Sequence, residues 1–218
     1  DQPTEFLKAT RNAKILLHGK LVGYPLENNL HVLDQQTVES IISDFLELSK
    51  SGIRDVSDFP NFEEFLLGNF GRTLYNIYFN PYNRKIWNTD LSSVPLHWLE
   101  GKLPMPDIKK VLLDNILKRD ESEMVHATFY YPRKGGSQFI VDRFSEGLNI
   151  HPNADVSSLK RINNQWEVNG QSFDSIIYTG DVRVLHTMIS GVSNELVSML
   201  QELDSLRSNG TSNVLCYT

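Results

Sequence analysis

Helical periodicity fills the first half of the chain and gives way near residue 124. This change of texture constrains the fold more than any single motif does. From Asp34 to Lys50 the apolar residues Val38, Ile41, Ile42, Phe45, Leu46 and Leu48 fall close to helical spacing, and Gly52 supplies a stop. A second helix opens in "SDFPNFEEFLLGNFG", with Asp58 or Asn61 as its N-cap and Glu63 and Glu64 at the positive end of its dipole. Phe62, Phe65, Leu66 and Phe70 form its apolar face. The run "RTLYNIYFNPYNRKIW" continues helically through Leu74, Ile77 and Tyr78 until Pro81, which breaks or kinks it. "DIKKVLLDNILKRDESE", residues 107–123, is a further amphipathic helix.

Ahead of these helices, "AKILLHGKLVGYP" (13–25) reads as two short strands around His18-Gly19-Lys20, because Gly19 tolerates the positive φ of a tight turn. After residue 124, "MVHATFYYP" reads as a strand, "RKGG" as a turn and "SQFIVDRFSEGL" as a helix capped by Ser137. Asn163-Asn164 and Asn169-Gly170 are hairpin signals in a small antiparallel meander. A buried strand at Ile176–Tyr178 and helices near 181–189 and 193–205 follow. The fold class expected is α+β, with a helical subdomain over about 30–123 packed beside an antiparallel β-sheet built partly from 13–25 and 124–131. The expected division is a mainly helical region with an N-terminal β-hairpin, 1–123, and an α/β region, 124–218.

Composition excludes several classes of protein. The 218 residues are 40% hydrophobic and 22% charged, ordinary for a globular chain. Lys plus Arg is 21 against 27 Asp plus Glu, and this acidic balance argues against a nucleic-acid partner. No apolar run approaches the roughly 18 residues of a membrane span, and no signal peptide opens the chain. The lone Cys216 cannot form an internal disulfide, so a reducing, cytoplasmic setting is expected. Asp1 stands where a Met would begin a protein, and "SNVLCYT" ends the chain as a strand without a tail. Both ends read as cuts in a longer protein.

The motifs of self-contained catalysis are missing. There is no G-x-G-x-x-G, P-loop or G-x-S-x-G, and His18, His31, His97, His126, His151 and His186 include no pair at metal-ligand spacing. No metal site and no catalytic residue is assigned. Two stretches stand out instead. In "NPYNRKIWNTDLSSVPLHW" (80–98), Tyr82 and Trp87 offer faces on which a flat ring can stack, and Arg84 and Lys85 can neutralise a diphosphate. The competing reading makes Trp87 and Trp98 core aromatics with the cations in solvent. In "FYYPRKGG" (129–136), a strand leads through paired glycines into a helix, either a close approach to a bulky ligand or an ordinary turn.

Taken in order, these segments resemble the glutathione-reductase-type flavoproteins of the amine oxidase and protoporphyrinogen oxidase group, and within it the UDP-galactopyranose mutases. "GKLVGYPLENNL" (19–30) is similar to the mutase segment that enters the substrate cleft. Residues 61–106 resemble the mutase helical domain, with its Tyr-Thr-x-Lys-x-Trp-Gly motif. "FYYPRKGGSQFIVDRFSEGL" resembles the Tyr-Pro-x-x-Gly-Gly segment of the wider group, and the later meander resembles part of its flavin-binding domain. The likeness runs over about residues 12 to 192.

The resemblance implies FAD as cofactor of the parent protein and a nucleotide-sugar substrate, used in cell-surface polysaccharide (LPS or O-antigen) biosynthesis. It implies substrate contacts from Asn28, Tyr82, Arg84, Lys85, Trp87, Lys102 and Arg133, and cofactor contacts from Gly135, Gly136 and Val156. Three departures accompany it. The N-terminal G-x-G-x-x-G and the C-terminal Gly-Asp motif that closes over the flavin are absent. Lys102 and Pro106 stand where mutases place arginines, and the charged helix 107–123 replaces an aromatic segment. An amine oxidase or porphyrinogen-type oxidase, and a non-catalytic binding module on the same fold, stay open beside the mutase reading. The pyrophosphate of FAD normally rests on a glycine-rich turn and a helix N-terminus. The chain is therefore expected to purify without flavin, as a visible absorbance spectrum will check; a stoichiometric yellow complex would refute this.

Overall fold

The helices begin where short polar side chains can accept from their first backbone N–H groups. In the computed structural model, which describes residues 5–52, 54–99, 107–118 and 128–214, Asp34 accepts from Thr37 N–H at 3.0 Å and starts α1, Gln35–Ser49. Asn61 accepts from Glu64 N–H at 3.0 Å and starts α2, Phe62–Leu74. Asp58, the other N-cap expected here, instead closes a capping box with Asp55 around the short turn Val56–Asp58. Asp107 caps α4, Ile108–Ile116. Residues 119–123, the expected end of that helix, lie outside the described residues.

Between α2 and α4 the chain does not break at Pro81. The backbone stays helical through a π turn, Tyr75–Phe79, into α3, Asn80–Trp87, with Pro81 in the first turn of α3. In the π turn, Asn80 N–H reaches back five residues to Tyr75 O. Pro81 has no N–H to give, and its ring would press on the carbonyl of Ile77; the wider turn gives that carbonyl room. The actual bend comes earlier. Gly71 sits at φ 79° inside α2, and Asp44 of α1 accepts from Thr73 N–H at 2.7 Å just past it.

The chain divides into two compact units, Asp1–Phe144 and Ser145–Thr218. The first holds the apolar core. Ile41 and Phe45 of α1, Phe62, Phe65, Leu66 and Leu74 of α2, and Tyr75, Tyr78 and Phe79 of the π turn are buried together with Leu26, Leu30, Leu91, Leu99 and Val111. Two short sheets belong to the same unit. β2, Lys14–Leu17, pairs antiparallel with β3, Lys20–Gly23, across His18 and Gly19, both at positive φ as the two-residue hairpin requires. β1, Phe6–Thr10, pairs antiparallel with β4, Thr128–Pro132, and Arg133 N–H extends that ladder to Glu5 O at 2.9 Å. α5, Gln138–Ser145, follows the glycine turn, and its Phe139 ring meets Phe6 edge to face at 5.7 Å.

The second unit is built on hairpins. β5, Leu159–Ile162, β6, Gln165–Val168, and β7, Gln171–Phe173, form the meander, turning at Asn163-Asn164 and Asn169-Gly170, all four residues at positive φ. Two short helices come later, α6, Leu185–Met188, and α7, Asn194–Glu202. Between them β8, Ile189–Ser190, adds to β5 in parallel, giving the order β7-β6-β5-β8.

The α+β class is what the sequence implies, with three differences in detail. Segment 13–25 and the described part of 124–131 do not share a sheet: the first folds on itself, and Thr128–Pro132 finds β1 as its partner. Ile176–Tyr178 is not a buried strand. Ile177 is 90% exposed, and no β pairing includes it, because an apolar triplet alone does not supply a neighbouring strand. The boundary expected at 123/124 falls among residues that are not described, and the compact units part at 144/145 instead. The pairing of β4 with β1 holds that later stretch to the first unit.

Gly71 and Asp44 are a matched pair. A Cβ at Gly71 would drive into the Asp44 side chain, and its φ is strained for any L residue. Gly71→Ala should lower unfolding free energy by more than about 1 kcal/mol, and Asp44→Ala by about 1–2 kcal/mol through the lost cap. Urea denaturation of both variants checks this.

Candidate functional site

A polar cluster lies where the segment after β3 meets the helical run from the π turn to α3. Leu26 and Leu30 are buried and pin the short turn Leu26–Asn28 to the core. Asn115 of α4 holds the backbone between them. Its side chain accepts from Leu30 N–H at 2.6 Å and donates to Glu27 O at 2.8 Å. One amide thus satisfies two partly buried loop groups that have no place in a helix or strand ladder of their own.

The Glu27 side chain is held inside. Its Oε2 is sealed from solvent and has no hydrogen-bond partner among the described residues. Burial pushes the carboxyl up from 4.5 to about 7, and only its own backbone N–H works the other way. Tyr78 stands close enough that its phenol is raised above the usual tyrosine range, first by burial, then by Glu27, Tyr24 and Tyr82. One turn along the helix, Tyr82 stacks on Tyr78 with ring centroids 5.2 Å apart and 28° between planes. Tyr82 is 37% exposed. Burial and the neighbouring Tyr24 hydroxyl raise its phenol. The Arg11 guanidinium lies 4.7 Å from the centre of the Tyr24 ring. The result is a buried acid, three tyrosines and one cation, reaching the surface at Tyr82.

The residues singled out from sequence fall in different places. Asn28 follows Glu27 in the short turn, and Tyr82 forms the exposed side of the cluster. Lys85 is exposed, three residues beyond Tyr82 and so near the same helical face. Arg84 is also exposed, 3.8 Å from Asp90. Trp87 points elsewhere. α3 is regular between Lys85 and Trp87, which sets those side chains about 200° apart, and Trp87 packs on Trp98 at 4.9 Å and on buried Phe62 at 6.5 Å. The two do not form one wall. Lys102 lies outside the described residues. Arg133, Gly135 and Gly136 are in the turn between β4 and α5, the glycines at φ 78° and 58°. Val156 belongs to the second unit and is exposed.

Sequence reasoning missed Arg11, Tyr24, Glu27 and Tyr78. Tyr24 and Glu27 sit inside the "GYPLENNL" segment already singled out, but nothing local says that this glutamate is buried. Tyr78 reads simply as a core position of a helix.

No protein-family model matches the sequence. Among solved structures the fold is shared with reduced UDP-galactopyranose mutase: TM-score 0.77 at 21% sequence identity, over 93% of this chain and 45% of that protein. The likeness establishes the fold. The chain spans less than half the length of the mutase it matches.

A flavin would find a partial fit here. The positive φ values of Gly135 and Gly136 suit a turn that a large ring approaches closely, and a Cβ on Gly136 would lie 3.4 Å from the Tyr131 hydroxyl. The pyrophosphate half of FAD has no glycine-rich loop in this sequence to rest on.

The raised Glu27 carboxyl couples stability to pH. The folded state keeps the proton that the unfolded state releases above about 4.5, so stability is greatest below that pH and falls as pH rises through about 7. The shift corresponds to a loss of about 3 kcal/mol. Between pH 5 and pH 8 the wild type should lose most of this relative to Glu27→Gln, which carries no titrating group there. Thermal or urea unfolding at the two pH values checks it; parallel curves for the two proteins would refute it.

Proposed function

We propose that the chain is the substrate-binding part of an FAD-dependent, UDP-galactopyranose mutase-like protein that holds a nucleotide-sugar. The observation that carries this reading is the exposed Tyr82 ring, stacked on Tyr78, with exposed Lys85 three residues further on near the same helical face; Arg84, two residues from Tyr82, is turned away from it toward Asp90. A flat base can lie on the tyrosine, and Lys85 can meet the diphosphate. Asn28 lies in the turn beside the cluster, and Lys102 and Arg133 are further phosphate partners in the same reading. Trp87 enters it as scaffold, fixing the end of α3 against Phe62 and Trp98.

FAD, when bound, would supply the covalent and redox chemistry that this side-chain set lacks. Gly135 and Gly136 would let the ring approach, and Val156 would lie toward the adenine end. The nucleotide-sugar would serve cell-surface polysaccharide synthesis in the cytoplasm. A second reading is an amine or porphyrinogen-type oxidase. The lining of three tyrosines favours it, because such substrates want an aromatic cleft.

Calorimetric titration of the purified protein with UDP tests the first reading. Tyr82→Ala should weaken binding about tenfold or more, as lost stacking of about 1–3 kcal/mol requires. Lys85→Ala should weaken it less and reduce its salt dependence. Trp87→Ala should lower the melting temperature while any folded fraction keeps its affinity. Unchanged affinity in both Tyr82→Ala and Lys85→Ala would reject the site.

A further inference from the structure

The Glu27 carboxyl is a costly object in this fold. A carboxyl sealed from water needs partners in either protonation state, and Oε2 has none among the described residues. The packing does not demand it. Leu26 and Leu30 anchor the loop, and Asn115 satisfies the backbone of Glu27 without using its side chain. The carboxyl lies near Tyr78, whose ring stacks at 5.2 Å on the exposed ring of Tyr82.

We propose that Glu27 is a specificity-determining residue whose buried carboxyl is completed by a hydroxyl of the sugar ring. This rests on the nucleotide-sugar reading and adds to it the part of the ligand that Glu27 recognises. The chemistry fits a hydroxyl better than the alternatives. A hydroxyl donates and accepts, so it satisfies the carboxyl whether or not the acid carries its proton. A phosphate only accepts and is repelled once the acid ionises. The C–H face of a sugar ring also packs on an aromatic ring, which Tyr82 and Tyr24 provide at the mouth of the cluster. The hydroxyl enters by parting the Tyr24–Tyr82 contact, exchanging one hydrogen bond for another. A site with a buried polar group left unpaired rejects ligands that lack the matching hydroxyl.

The test compares UDP-galactopyranose with UDP in calorimetric titrations of the purified protein and two variants. Wild type should bind the nucleotide-sugar about tenfold more tightly than UDP. Glu27→Met, similar in volume and apolar, should melt at a higher temperature and bind UDP as the wild type does, yet lose the preference for the sugar. Glu27→Gln, which still offers a hydrogen bond, should keep most of that preference. Loss of binding through misfolding would lower the melting temperature and weaken both ligands together, a pattern that overturns the proposal. An unchanged sugar preference in Glu27→Met overturns it while leaving the nucleotide site intact. If wild type binds neither ligand, the nucleotide-sugar reading fails first and this inference falls with it.

Discussion

One carboxylate from α1 decides where the second half of the helical domain points. At Gly71 the backbone passes through a left-handed conformation, and the turn that follows loses its intrahelical acceptors. Asp44 supplies one by accepting from Thr73 N–H, and its charge favours the new helix N-terminus. Everything downstream inherits this direction. Leu74, Tyr75, Tyr78 and Phe79 turn into the core, and the π turn and α3 carry Tyr82 to the surface beside Tyr24. A straight helix through Gly71 would have kept the same apolar spacing and aimed it elsewhere. The fit is close in both directions, since no side chain larger than hydrogen clears Asp44 at that position.

The features legible in the sequence are those whose cause is local. Asp34 and Asn61 are caps because a short oxygen-bearing side chain precedes an amphipathic run, and both act as caps in the fold. His18-Gly19, Asn163-Asn164 and Asn169-Gly170 are hairpins because those residues tolerate positive φ. What was not legible depends on distant partners. Nothing in "FYYP" names β1 as the neighbour of β4, and the bend attributed to Pro81 lies ten residues earlier, where a residue of another helix receives it. The residues of the proposed site divide in the same way. Tyr82, Arg84 and Lys85 can be picked out by type. Trp87 fits the same description and yet packs against Phe62, because helical geometry, which two-residue spacing ignores, turns it to the other side. Glu27 is invisible to such reasoning, since its burial is produced by α4 and the π turn.

The two polar residues that meet at the Leu26–Asn28 turn illustrate different uses of buried polarity. Asn115 makes three hydrogen bonds, to Leu30 N–H, Glu27 O and Val111 O, and nearly exhausts its capacity. Such a residue joins a loop to a helix and is explained by structure alone. Glu27, whose backbone Asn115 secures, receives no comparable return for its side chain. An apolar residue of similar size would remove the desolvation cost without disturbing either contact. Stability therefore accounts for Asn115 and runs against Glu27. Departures from local consistency of this kind mark function more reliably than residue type does. By that criterion Glu27 is the residue of this cluster for which the fold itself accounts least.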